Sequence, residues 1–186
     1  MKIGGSKHVL RKEIVEAKKR FSAEQLRDFS NEVIQTLELT SLFQQAQNVL
    51  SYYSLVDEVD THKLMSDYAH SKRFVLPVVR GEDLLLKEFR LGQKMKKGAL
   101  GISEPEGGDE FVDFDSIDLI IVPGVAFDRK LNRLGRGKGY YDRLLSQLKS
   151  PKIGICFDFQ LLESIPVEDW DIKMDMIVAQ NEIVIG

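Results

Sequence analysis

The sequence predicts an α/β protein: one layered domain over residues 1–186, with helices flanking a largely parallel central sheet. Three observations carry that expectation. Segments with apolar residues every three or four positions alternate with short extended apolar runs, the pattern of crossover units feeding a parallel sheet. The run Ile117–Val122 is almost continuously apolar, as a strand buried on both faces requires. No internal repeat, low-complexity tail or linker-like stretch divides the 186 residues, a length that builds one substantial core.

From Lys7 to about Arg20, Leu10, Ile14, Ala17 and Phe21 recur at helical spacing, with Lys7, Arg11 and Lys18 on another face. Ser22-Ala23-Glu24-Gln25 is a capping box that opens a second helix, whose buried stripe is Leu26, Phe29, Val33, Ile34 and Leu37. Val49 to Ser54 reads as a strand with a polar exit through Asp57, Glu58 and Asp60. Thr61 is expected to cap a helix reaching about Ser71, packed through Leu64, Met65 and Tyr68. Phe74–Val79 and Leu84–Phe89 are the next strands, and Gly92–Gly108, polar and glycine-rich, is expected to be mostly loop. After the strand at 117–122, a helix is expected from Gly139 or Tyr140 through Leu148, then a strand at Ile153–Phe157. Met176–Val178 and Ile183–Ile185 flank Ala179-Gln180-Asn181-Glu182 and form a terminal hairpin.

The formal charge of −3, with 43% hydrophobic and 30% charged residues, gives no reason to expect nonspecific nucleic-acid binding. The single cysteine, Cys156, excludes an internal disulfide framework and sits in an apolar context that suits a small buried strand residue. No apolar run approaches the roughly 18 residues that suggest a membrane span, and the basic N-terminus lacks a signal-peptide core. The expectation is a cytoplasmic protein with no nucleic-acid, membrane or obligatory protein partner. His8, His62 and His70 show no metal-ligand spacing, so zinc is not expected.

The chemistry-bearing region is Pro123–Asp128 followed by Arg133-Leu134-Gly135-Arg136-Gly137-Lys138-Gly139-Tyr140-Tyr141-Asp142-Arg143, directly after a buried strand. Gly135, Gly137 and Gly139 open the backbone so that its N–H groups can approach an anion, and Arg133, Arg136 and Lys138 supply charge. Asp142 can reach a cation held between phosphates. This is a nucleotide-phosphate turn distinct from the Gly-x-x-x-x-Gly-Lys-Ser/Thr loop, because Gly139 follows Lys138 and no adjacent hydroxyl is present. A solvent-facing glycine turn with ordinary surface charges is the plainer reading of the same residues. Lys7 and Arg11, four apart on one helix side, can form a second phosphate clamp or a solvated basic face.

The order of these residues resembles the signature of the 5-formyltetrahydrofolate cyclo-ligases, also called methenyltetrahydrofolate synthetases. Asn132 stands where that family usually has a glycine; asparagine tolerates the left-handed turn such a position implies. The resemblance extends to the Lys7/Arg11 pair, to Tyr52–Thr61, to Gly101-Ile102-Ser103-Glu104-Pro105 and to Pro166–Asp175. It implies that Lys7, Arg11, Arg133, Gly135, Arg136, Gly137, Lys138, Gly139, Tyr140 and Asp142 bind ATP, with Lys138 and Arg136 stabilising phosphoryl transfer. Glu58 would hydrogen-bond the reduced pterin and Tyr141 would contact the substrate; from their residue type, Tyr53, Phe89 and Trp170 can supply apolar walls for a flat ligand or complete the core. Asp142 and Asp175 would hold Mg²⁺, and Asp171 would orient the C-terminal loop. The implied reaction is ATP-dependent cyclisation of 5-formyltetrahydrofolate to 5,10-methenyltetrahydrofolate with release of ADP and phosphate. Two alternatives account for the phosphate residues alone: another ATP-dependent transferase on the same scaffold, and a noncatalytic folate- or nucleotide-binding regulator. The presence or absence of methenyl product separates them.

Overall fold

Seven strands make the central sheet of the computed structural model, which describes residues 6–98 and 101–186. They are β1 (Asn48–Leu50), β2 (Arg73–Arg80), β3 (Asp83–Phe89), β6 (Leu119–Val122), β9 (Lys152–Ile155), β11 (Met176–Val178) and β12 (Ile183–Ile185). Their order is β12-β11-β9-β6-β1-β2-β3. All neighbours run parallel except the two outermost pairs, β11–β12 and β2–β3. Five further short strands lie off this sheet, with β4 (Met95–Lys97) against β5 (Ser103–Pro105), and β7 (Ala126–Asp128) between β8 (Arg133–Leu134) and β10 (Leu161–Leu162). The helices are α1 (Lys7–Lys18), α2 (Ala23–Glu38), α3 (Ser41–Gln45), α4 (His62–Tyr68) and α5 (Tyr140–Leu145).

The period-two alternation of strands divides the core into two layers. Leu119 and Ile121 of β6 face Val33 and Leu37 of α2 and Leu64 of α4. Ile120 and Val122 face the opposite side, with Leu144, Leu145 and Leu148 from α5 and the turn after it. Every β6 side chain is fully buried, as its unbroken apolar run requires. Helix α1 lies apart from both layers: Leu10 and Ile14 pack on Ala126, Leu134 and Ile165, fastening it to the β7–β8 turn region. Cys156 is fully buried behind β9, and burial pushes its thiol well above the usual range.

Several elements depart from the sequence expectation. β1 ends at Leu50: Ser51 makes one more ladder bond, to Val75 O, and the chain then leaves the sheet towards the acids at 57–60. Thr61 does not cap α4; its hydroxyl donates to Tyr52 O at 2.5 Å, and Asp60 Oδ1 accepts from His62 N instead. Gly92–Gly108 contains the β4–β5 ladder, whose Lys96, Lys97 and Pro105 carry little strand propensity. α5 has only six residues, so its dipole adds little at the glycine turn. Leu131, not Asn132, takes the left-handed conformation (φ 67°), while Asn132 is held by its main-chain and side-chain N–H groups donating to the Asp128 carboxylate.

Candidate active site

β2 outruns β1 by several residues and continues with β3 as a two-stranded arm beyond the carboxyl edge of the sheet. Opposite the arm stands the turn from Arg133 to Asp142, buttressed by α1. Between them lies a cavity of about 400 Å³. Pro77, Val79, Leu84 and Ile102 give it an apolar wall, Tyr52, Tyr53 and Tyr141 give it aromatic surface, and Trp170 stands exposed at its rim. Lys7, Arg11, Glu58, every residue of the 133–142 turn and Asp142 line it.

The cations of this cavity differ in what holds them. Arg133 is buried: its Nη2 donates to Asp142 Oδ1 at 2.8 Å, and its guanidinium lies 5.4 Å from the Tyr141 ring centre. Its Nε has no hydrogen-bond partner among the described residues. Arg136 spans two acids, donating from Nε and Nη2 to Glu58 Oε1 (3.2 and 2.9 Å) and from Nη2 to Asp57 Oδ1 (3.0 Å). Glu58 Oε2 accepts from Leu55 N, which fixes the carboxylate. Burial disfavours the Asp57 carboxylate, but Lys18 and Arg136 outweigh it and hold its pKa below the usual range. Lys7 Nζ is enclosed by Glu168 (2.5 Å) and Asp171 (2.6 and 2.8 Å); burial opposes its charge, and the two acids still raise its pKa. Arg11 donates to Gly135 O at 2.8 Å and packs over Gly137, whose φ of 96° suits only glycine. Lys138 is exposed, and among the described residues its ammonium forms no ion pair.

Tyr141 is half-buried under Arg133, where desolvation and then Glu58 raise the pKa of its phenol and keep it neutral. Tyr140 turns outward and donates to Gly81 O at the tip of the arm, while Arg143 donates to Glu82 O and pairs with Asp83. The two tyrosines thus have different tasks, and the second clamps the arm to the glycine turn. Tyr53 stacks on His62 with ring centres 3.8 Å apart.

Two expectations are corrected. Asp175 lies at the amino-terminal edge of the sheet, where its carboxylate accepts from Lys152 N at 2.8 Å just before β11. Asp142 lies at the opposite, carboxyl edge, so the two acids cannot share a metal ion. Phe89 packs among the α2–α4 core residues and is not part of the cavity wall. Acids that sequence reasoning left without a ligand role are present instead: Glu104, Glu168 and Asp171 all line the cavity. Asp171 also accepts from Glu168 N at 2.8 Å, which shapes the strap at the rim. The signal for Glu104 and Asp171 was their place in the quoted segments; their direction needed the fold.

A glycine-rich basic turn beside an apolar, carboxylate-lined cavity at the carboxyl edge of a parallel sheet is the arrangement in which α/β proteins hold small ligands. The chain belongs to the 5-formyltetrahydrofolate cyclo-ligase family, whose model matches residues 3–180. The 5-formyltetrahydrofolate cyclo-ligase of Escherichia coli (strain K12) is 32% identical over 146 residues, covering 74% of this chain and 80% of its own. The Mus musculus protein of that name is 28% identical over 194 residues, 96% of each chain. Among solved structures, the Aquifex aeolicus 5,10-methenyltetrahydrofolate synthetase superposes with a TM-score of 0.85 at 37% identity, covering 95% of this chain and 91% of that one. The Mycoplasma pneumoniae synthetase superposes with a TM-score of 0.75 at 25% identity, covering 94% and 98%.

Proposed function

We propose that this protein is an enzyme that closes 5-formyltetrahydrofolate to 5,10-methenyltetrahydrofolate using ATP. Family membership supports the reaction, and one observation carries its assignment to this cavity: cations for phosphate and a fixed carboxylate for a ring edge face the same enclosed space. A formyl oxygen is a poor leaving group. Transfer of the terminal phosphoryl group to that oxygen turns it into phosphate, and N10 of the same folate then attacks the formyl carbon. Loss of phosphate and of the N10 proton leaves the methenyl cation, with ADP as the other product. Lys138, Arg136 and Arg11 are the residues for charge on the transferring group. Glu58 accepts from the amide and amino edge of the ring, and the pocket holds the reacting atoms in register.

The lining carries five basic side chains (Lys7, Arg11, Arg133, Arg136, Lys138) and five acidic ones (Glu58, Glu104, Asp142, Glu168, Asp171). A tetra-anionic nucleotide therefore meets no net positive field, which favours entry with a divalent cation. Asp142 beside Arg133, and Asp171 beside Lys7, offer the hard oxygen ligands Mg²⁺ needs, and Asp171 replaces Asp175 in that role. Mg²⁺ would neutralise charge on the phosphates during transfer. Purified protein should form the methenyl product, followed by its near-ultraviolet absorbance, only with both ATP and Mg²⁺. Binding of folate and ATP without product would overturn the enzymatic reading.

A further inference from the structure

Glu104 is a carboxylate in an unusual position. It is 5% exposed, lies at the centre of β5 and lines the cavity. Its Oε1 accepts from Val79 N at 3.1 Å; no second donor and no cation among the described residues reaches the carboxylate. Gly98 presses against it so closely that any side chain at that position would collide with the carboxylate. Around it the wall is apolar, formed by Pro77, Val79, Leu84 and Ile102. A buried charge with one hydrogen bond is costly unless something else satisfies it. Every other acid of the cavity already has a cation: Glu58 has Arg136, Asp142 has Arg133, and Glu168 and Asp171 have Lys7. Among the described acids of the cavity, Glu104 alone has no cation partner, and it keeps an uncommitted acceptor oxygen beside the space the ligand fills.

Building on the proposed substrate, we propose that Glu104 is a specificity-determining residue that accepts a ring N–H of the folate. A tetrahydropterin carries ring N–H groups that the aromatic, oxidised pterin lacks, because ring nitrogens of the oxidised form are themselves acceptors. A carboxylate at this wall therefore attracts the reduced ring and repels the oxidised one. Glu58 contacts an edge that both forms present alike, so it cannot make this distinction. Glu104 supplies it from the arm wall, where β5 meets Val79 of β2.

Glu104→Gln tests this cleanly. Val79 N can keep its bond to the amide oxygen, which leaves the amide nitrogen, a donor, where the second carboxylate oxygen was. Wild type and variant are each titrated with 5-formyltetrahydrofolate, with folic acid and with a nonhydrolysable ATP analogue, and their melting temperatures are measured. The variant should bind 5-formyltetrahydrofolate about tenfold or more weakly, as loss of a bond to a charged acceptor implies, with folic acid affinity raised or held, since the repulsion is removed, and nucleotide affinity held. Unchanged affinity for the reduced folate overturns the inference. So does an equal loss for both folates, which marks a merely structural carboxylate. If Glu104→Gln fails to fold, Glu104→Asp, which keeps the charge but withdraws it, takes its place with the same criteria. Failure of the wild type to make methenyl product sinks the proposed reaction while leaving this binding comparison readable.

Discussion

At the level of single residues, the cavity separates cations that are held from cations that are available. Lys138 has no carboxylate partner among the described residues, which is what the proposed role at the transferring phosphate requires. Lys138→Ala should lower kcat at saturating ATP and folate by a factor corresponding to about 2–4 kcal/mol, with little change in folate binding. Normal turnover in that variant would remove Lys138 from the chemistry. Arg133 contrasts with it: buried, tied to Asp142 and stacked on Tyr141, it positions the turn. The sequence order identified both as basic residues of one loop, but which of them faces an acid depends on contacts made by a later helix. Asp175 escapes a sequence reading for the same reason, since the three residues between it and Asp171 carry the chain to the far sheet edge just before β11. Cys156, by contrast, was legible from its apolar neighbours. Being fully buried with its thiolate disfavoured, it should resist a thiol reagent in the native protein and react only on unfolding, as time-resolved labelling in denaturant would record.

At the level of elements, strong local signals were readable and weak ones were not. The Ser22 capping box forms as written, with Gln25 N donating to Ser22 Oγ and Ser22 N to Gln25 Oε1. Thr61 carries the same helix-start chemistry, yet its hydroxyl is taken by Tyr52 O across the chain, a tertiary partner that no local window contains. The β4–β5 and β7–β8 ladders involve two or three residues per strand, too few for alternation to register. The glycine turn is the element where geometry is most demanding. Gly137→Ala should cost about 1–2 kcal/mol for its left-handed backbone and should further weaken nucleotide binding, because the new methyl would lie 3.3 Å from the Arg11 guanidinium. Gly92→Ala is its control, with φ of 77° and open space around it. Equal effects of the two variants on nucleotide affinity, read by titration, would show that Arg11 and the turn do not cooperate.

At the level of the whole molecule, charges from three distant parts of the chain meet at Asp57, which joins Lys18 of α1 to Arg136 of the glycine turn. Its depressed pKa makes these contacts a source of stability that is complete above the ordinary aspartate value of 3.8 and lost as pH falls through the lower folded value. Melting temperatures of wild type and Asp57→Asn should differ at neutral pH and converge as pH falls through the lowered folded value of Asp57. A constant gap across that window would mean that Asp57 acts by packing alone. The same arginine has a further consequence. In the chain without ligands, Arg136 and Glu58 occupy one another. On the proposed assignment, a folate that engaged Glu58 would free the arginine, and a nucleotide that engaged the arginine would free Glu58. The two affinities are then reciprocally linked, each ligand tightening the other by one common factor. Titration of a nonhydrolysable ATP analogue with and without folate should reveal that factor, and Arg136→Met should bring it to one. Such linkage would leave the nucleotide loosely held whenever folate is absent, and so would restrain idle hydrolysis of ATP.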